Sequence, residues 1–205
     1  MFEFFDKLYS RFDLSVLWTD ILTCFTVTLI ITMSVIIIGF IIGRIELCQL
    51  KLLSDKTGSK IASFICNRCT FPGTIIHELA HALFAVLTGA KVLKIKCFEM
   101  FAHGRLGHVD FALRGNKIKQ MFQLSFISCA PVVVGMFLEY ILIKVVFTYD
   151  LSIWIQILLW YLIISVADHT SMSSVDIKNY VKGLVLVFPV IMIIMLAVKY
   201  FLTVQ

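Results

Sequence analysis

Five consecutive residues, His77-Glu78-Leu79-Ala80-His81, contain the side-chain types from which a metal centre is built. If this segment is helical, side chains four positions apart point the same way, so both imidazoles can reach one ion. Glu78 then lies beside the first imidazole and can contact a water molecule at that ion. Ionisable groups in an apolar helix are costly in lipid and usually serve a function. The motif therefore predicts zinc at His77 and His81, with Glu78 as general base.

A catalytic zinc needs a third protein ligand and keeps a fourth position open. Asp176 and Asp168 are the carboxylate candidates, and His169 and Glu139 are further alternatives. Asp176 also has a purely structural interpretation, because Ser173-x-x-Asp176 is typical of a capping box at the start of a last helix.

Two other interpretations of the motif involve no catalysis. In one, the histidines bond to neighbouring helices and Glu78 is protonated. In the other, Cys66 and Cys69 complete a closed four-ligand zinc site with His77 and His81, which leaves the glutamate without a role.

The composition requires lipid as part of the solvent. The 205 residues are 60% hydrophobic and 15% charged, whereas soluble domains are nearer half apolar and a quarter charged. Of the six cysteines, Cys66 and Cys69 lie close together and the other four are scattered along the chain. This arrangement is unlike the disulfide framework of a small secreted domain. The net charge of +5 is not gathered in a basic domain, so nucleic acid is not an expected partner.

The elements that would position the motif form an α-helical multi-pass membrane protein with about five membrane helices and a small membrane-associated β-hairpin. Residues 1–16 are expected to form an interfacial helix, residues 44–60 a polar loop and residues 168–182 a polar connection. The predicted helices are Leu17–Gly43, Phe71–Gly89, Ile118–Phe147, Leu151–Ala167 and Gly183–Leu202, and the predicted strands are Val92–Phe98 and Val109–Leu113.

The segment Phe71–Gly89, FPGTIIHELAHALFAVLTG, resembles the active-site helix of the site-2-protease family of intramembrane zinc metalloproteases. Members of that family follow this helix with a membrane-associated β-hairpin, which residues 91–113 match in position and character. Their next core helix often carries Gly-Pro-x-x-Asn. Ala130-Pro131 keeps that proline, and Val134 stands in place of the asparagine.

The family takes its third ligand from the pattern Asn-x-x-Pro-x-x-x-x-Asp-Gly. In this sequence Asp168 stands at the asparagine, Ser171 at the proline, Asp176 at the aspartate and Ile177 at the glycine. The spacing is retained although three identities differ. The resemblance implies Zn²⁺ held by His77, His81 and Asp176, and Glu139 matches no ligand position.

The resemblance also implies a zinc-dependent endopeptidase that acts on membrane-protein or peptide substrates. Residues 1–205 are predicted to form one membrane domain, with a metalloprotease-like core at 61–183 flanked by 1–60 and 184–205. The expected location is multi-pass in a membrane, and the resemblance suggests a bacterial cell membrane. The lipid bilayer and the substrate are the expected partners, and the oligomeric state is not predicted.

An edge strand of residues 91–113 is expected to accept unwound substrate by strand addition. His103 and His108 are expected to be interfacial residues of that hairpin. Three rival functions remain as predictions. They are a catalytically inactive membrane scaffold or regulator, a transporter that uses the histidines as a polar pathway, and a zinc hydrolase of lipid or another non-peptide substrate.

Overall fold

The computed structural model of the chain describes residues 14–99 and 106–204. These residues form six α-helices, one π-helix and a two-stranded sheet. Most of the predicted interfacial helix, residues 1–13, lies outside the described residues, as does His103.

The first helix, α1, extends over Leu14–Thr57 and has 44 residues. It contains the predicted span, but the predicted loop at 44–60 is wrong because the helix continues to Thr57. Residues 44–57 contain neither glycine nor proline, and they include four Leu, two Lys, one Glu and one Gln, all of which favour helix. Gly58, with φ of 86°, follows the helix end. A short helix, α2 (Ser59–Ser63), and a π-helix (Phe64–Cys69) come next.

The histidine motif lies on α3, Phe71–Leu87, which bends by 56° from the Ser59–Cys69 segment. Gly89 has φ of 79°, as expected of a residue just past a helix end. The predicted hairpin is confirmed: β1 (Lys91–Lys96) and β2 (His108–Ala112) pair in an antiparallel ladder. The register has an irregularity between Val92 and Lys94.

Three helices follow the hairpin: α4 (Lys117–Thr148), α5 (Ile153–Ala167) and α6 (Ser174–Val204). The predicted positions of α4 and α5 are confirmed. The last helix begins at Ser174 rather than Gly183, so the predicted polar connection at 168–182 is wrong beyond Ser173. A cap at Ser173 starts the helix on polar residues, before the apolar run begins.

Among the described helices, three are long and apolar enough to cross a bilayer: Trp18–Thr57 within α1, the whole of α4, and Ser174–Phe201 within α6. The bent pair Ser59–Cys69 and Phe71–Leu87 makes a fourth if it counts as one span. The helix α5 has 15 residues and falls short of a bilayer's thickness. The chain is therefore a membrane protein, and the predicted count of five spans is not confirmed.

The chain divides into two compact units, Met1–Ser34 with Leu184–Gln205, and Val35–Gly183. In the first unit the Asp20 carboxylate pairs with Lys199, and the rings of Phe25 and Phe188 meet edge to face. In the second, α3 packs against α4, α5 and both strands. Ala80, Ala82 and Ala85 on α3 are buried, and such small side chains let neighbouring backbones come close.

Candidate metal centre

The first turn of α3 is held against α5 by hydrogen bonds. The Gly73 amide donates to the Ser165 hydroxyl at 2.8 Å, and that hydroxyl donates to the Thr70 carbonyl at 2.8 Å. A Cβ atom on Gly73 would lie 1.8 Å from the Ser165 carbonyl oxygen. The position therefore requires glycine, and the close approach sets where the motif begins.

His77 and His81 converge through one nitrogen each. Their Nε2 atoms lie 3.1 Å apart, while each Nδ1 bonds to a different backbone carbonyl. The Nδ1 of His77 donates to the His169 oxygen at 2.7 Å, and that of His81 to the Ile127 oxygen at 2.8 Å. Because a carbonyl only accepts, both Nδ1 atoms carry the proton when the rings are neutral. Both Nε2 atoms then face each other with lone pairs.

The two carbonyls have a physical reason to be available. Pro131 lies inside α4 and has no N–H, so the carbonyl of Ile127, four residues earlier, lacks its helical donor. The His169 carbonyl lies in the turn after α5, where no helical ladder continues. Each imidazole thus donates to a backbone oxygen that the fold leaves open, and this outer bond fixes the ring's orientation as in metal-ligating histidines.

Asp176 completes a group of three possible ligands. One atom from each of His77, His81 and Asp176 lies within 4.8 Å of the other two. Among the described residues, these three side chains form the group of His, Cys, Asp or Glu residues whose geometry could hold a metal ion. The third ligand predicted from spacing is thus placed beside the two histidines.

The structural interpretation of Asp176 is also confirmed. Ser173 donates to the Asp176 Oδ2 atom through both its amide and its hydroxyl, and the Asp176 amide donates to the Ser173 hydroxyl at 3.1 Å. The two interpretations are compatible, because a carboxylate has two oxygens and about four lone-pair sites. The cap anchors the side chain that faces the histidines.

The donor set fits a zinc ion. In a tetrahedral site with zinc–nitrogen bonds of about 2.0–2.1 Å, two nitrogen ligands lie about 3.3 Å apart. The two Nε2 atoms, at 3.1 Å, nearly have that separation already. The group's spread of up to 4.8 Å means that the Asp176 oxygen must move inward by up to roughly 1.5 Å to join a tetrahedral shell.

The other ligand candidates do not belong to the group of three. Asp168 and His169 line the same cavity but are not in the group of three. Burial raises the pKa of the Asp168 carboxyl, and a hydrogen bond from the Gln49 side chain partly opposes this. Glu139 accepts a hydrogen bond from Thr170 at 3.4 Å and is not among the described residues that line the cavity.

Cys66 and Cys69 do not join the histidines in the metal-binding group. Both lie on the π-helix as free thiols, and the Cys69 carbonyl accepts a hydrogen bond from the Tyr161 hydroxyl at 2.7 Å. Among the described residues, the candidate metal-binding group therefore contains neither cysteine.

The hairpin reaches the glutamate of the motif. A Cβ atom on Gly107 would lie 2.7 Å from Cγ of Glu78 and 2.8 Å from the Cys97 oxygen. His108, at the start of β2, lines the same cavity as Glu78. The segment after α3 thus forms a wall of the site, a position that agrees with the predicted hairpin beside the active-site helix.

A cavity of about 670 Å³ joins these parts, a size suited to a ligand. Its wall includes the three metal-binding candidates and Glu78, together with residues of α1 and the turn before α6. Glu46 and Thr74 are among the lining residues that the sequence does not single out. The sequence pattern predicts a loop around Glu46 and an apolar helix around Thr74.

No protein-family model, curated protein or solved structure matches this chain.

Proposed function

We propose that the chain is a zinc-dependent endopeptidase that hydrolyses peptide bonds of membrane-protein substrates within or beside the bilayer. The observation that carries the proposal is the convergence of the two Nε2 atoms at 3.1 Å while both Nδ1 atoms are committed to carbonyls. Two facing lone pairs repel each other, and a shared cation removes that repulsion. The resemblance of the FPGTIIHELAHALFAVLTG helix to site-2 proteases adds to this support.

The ligands would be His77, His81 and Asp176. Zinc, when bound, acts as a Lewis acid that polarises the scissile carbonyl and lowers the pKa of water. Glu78 lines the same cavity and is adjacent in sequence to the first ligand, so it is placed to take the proton of the attacking water. The same carboxyl then delivers this proton to the leaving amine nitrogen.

The surroundings favour hydrolysis over the rival functions. A transporter needs a polar route through the protein, whereas the two imidazoles are fixed by carbonyl bonds and point at each other. An inactive scaffold has no use for a glutamate kept in a cavity of about 670 Å³ beside the ligands. Multi-pass insertion in a bacterial cell membrane and a metalloprotease-like core at 61–183 belong to the same proposal.

The test is hydrolysis by the purified chain in lipid nanodiscs, with a pool of synthetic membrane-spanning peptides as the probe. Glu78→Gln should lower the cleavage rate by at least about a hundredfold, the usual range for a general base, while zinc content is retained. Glu139→Gln removes a carboxylate outside the cavity and should leave the rate unchanged. Equal cleavage rates in wild type and Glu78→Gln contradict the peptidase. So does a chain that cleaves no peptide but conducts ions across the membrane of reconstituted liposomes.

A further inference from the structure

The cavity has an acidic region apart from the metal-binding group. Glu46 of α1 and Asp168 of the turn before α6 both line the wall of the cavity. The Ser171 hydroxyl donates to the Glu46 Oε2 atom at 2.9 Å. One oxygen of Glu46 is therefore held in place by the fold.

The other oxygen of Glu46 has no partner. In the described part of the chain, two buried side-chain polar atoms lack a hydrogen bond, Oε1 of Glu46 and Oγ1 of Thr74. Both residues line this one cavity, and Thr74 is only 7% exposed. A buried polar atom without a partner costs about 1–3 kcal/mol, so two of them at one cavity indicate a ligand that supplies the missing bonds.

The Thr74 hydroxyl lacks the intrahelical hydrogen bond that other buried helical threonines make. Thr28 and Thr32 donate to the carbonyl four residues earlier, as buried hydroxyls in apolar helices commonly do. The equivalent carbonyl for Thr74 is that of Thr70, which already accepts from the Gly73 amide and the Ser165 hydroxyl. With both lone pairs of that oxygen used, the Thr74 hydroxyl is left for the cavity, one turn before His77 and Glu78.

The charge of the wall decides what kind of ligand fits. Among its described residues are four carboxylates, Glu46, Glu78, Asp168 and Asp176, and one cationic side chain, Arg68. A divalent ion at the histidines leaves this wall with an excess of one negative charge. When Glu46 is ionised its oxygens only accept hydrogen bonds, so the matching partner is a donor, and a positively charged donor makes the stronger bond.

We propose that Glu46 and Asp168 form a subsite for a basic side chain of a peptide substrate, while the Thr74 hydroxyl donates to a main-chain carbonyl of the same peptide. This inference rests on the proposed peptidase function and names its substrate class: an extended segment that carries a lysine or arginine near the scissile bond.

The experiment measures binding in the Glu78→Gln background, so that no turnover is needed. The probes are synthetic membrane-spanning peptides that differ only in lysine or norleucine at one position, which is moved along the segment. At the best position the lysine peptide should bind about tenfold more tightly, as a charge-assisted hydrogen bond predicts. Adding Glu46→Gln should remove this preference, and adding Thr74→Val should weaken both peptides by a similar factor of about five.

Asp55→Asn is the matched control, because it removes a carboxylate from an exposed position of the same helix, α1. It should keep the tenfold preference for lysine. Equal binding of the two peptides at every position, no binding of either, or a preference that survives Glu46→Gln overturns the subsite. The peptidase itself fails in a different way, if the chain with Glu78 intact binds the lysine peptide preferentially and never cleaves it.

Discussion

Each unit of this membrane protein contains a set of polar side chains, and the two sets are satisfied in opposite ways. In the unit of Met1–Ser34 and Leu184–Gln205, the hydroxyls of Thr28 and Thr32 donate to carbonyls of their own helix at 2.7 and 2.8 Å, and Asp20 pairs with Lys199. In the unit of Val35–Gly183, lone pairs of His77 and His81 face each other, and buried oxygens of Glu46 and Thr74 face a cavity.

The difference separates structural from functional polarity in an apolar chain. A hydroxyl that bonds to its own helix satisfies itself and needs no ligand. The histidine nitrogens and the buried oxygens of Glu46 and Thr74 have incomplete hydrogen bonds and line one cavity. The surrounding fold holds them in that state. Matched substitutions of polar residues or prolines should therefore change zinc affinity in the unit of Val35–Gly183 and leave it unchanged in the other unit.

The largest contrast is expected for the aspartates. Asp176→Ala removes a proposed ligand and should lower zinc affinity by more than about a hundredfold, beyond the effect of losing an outer partner. Asp20→Ala breaks the pair with Lys199 and should leave zinc affinity unchanged. Competition with a fluorescent zinc chelator measures both. A similar affinity in Asp176→Ala and wild type removes this aspartate from the site.

The prolines should give a smaller contrast. Pro131→Ala restores an N–H that can bond to the Ile127 carbonyl, in competition with Nδ1 of His81. Zinc affinity should fall about tenfold, as with other losses of an outer bond to a metal-ligating histidine. Pro189 lies inside α6 in the other unit, and Pro189→Ala should not change the affinity. Equal effects of the two changes would show that Pro131 acts through general helix shape.

The smallest effect is expected at Thr28. Its hydroxyl is fully buried and bonds only within α1, so Thr28→Val should change the free energy of unfolding in detergent by less than about 1 kcal/mol. The zinc affinity of Thr28→Val should equal that of the wild type. A loss of several kcal/mol would mean that this hydroxyl has a second partner and is not self-satisfied.

Much of the centre was predictable because its signal is local. The spacing of His77 and His81 fixes a common helix face, and Gly89, the two strands and the Ser173 cap follow from short-range preferences. The loop predicted at 44–60 hid Glu46, because charge in a segment shows where a helix can leave lipid and does not show that the helix ends. In this segment α1 continues through the charged residues and ends just before Gly58.

Other features depend on contacts that a sequence does not display. The carbonyls that orient the two imidazoles come from positions 46 and 92 residues away along the chain. The unsatisfied state of Thr74 depends on Ser165, which lies 95 residues from the Thr70 carbonyl it occupies. Asp176 matched a spacing pattern, yet only the folded chain places it within 4.8 Å of both histidines.

The central claim is tested most directly by zinc X-ray absorption of the chain purified in detergent and loaded with one equivalent of zinc. We expect a shell of nitrogen and oxygen ligands at about 2.0–2.1 Å with the scattering of two imidazoles and no sulfur. A sulfur shell at about 2.3 Å, or zinc that leaves the protein on simple dialysis, would contradict a centre built from His77, His81 and Asp176.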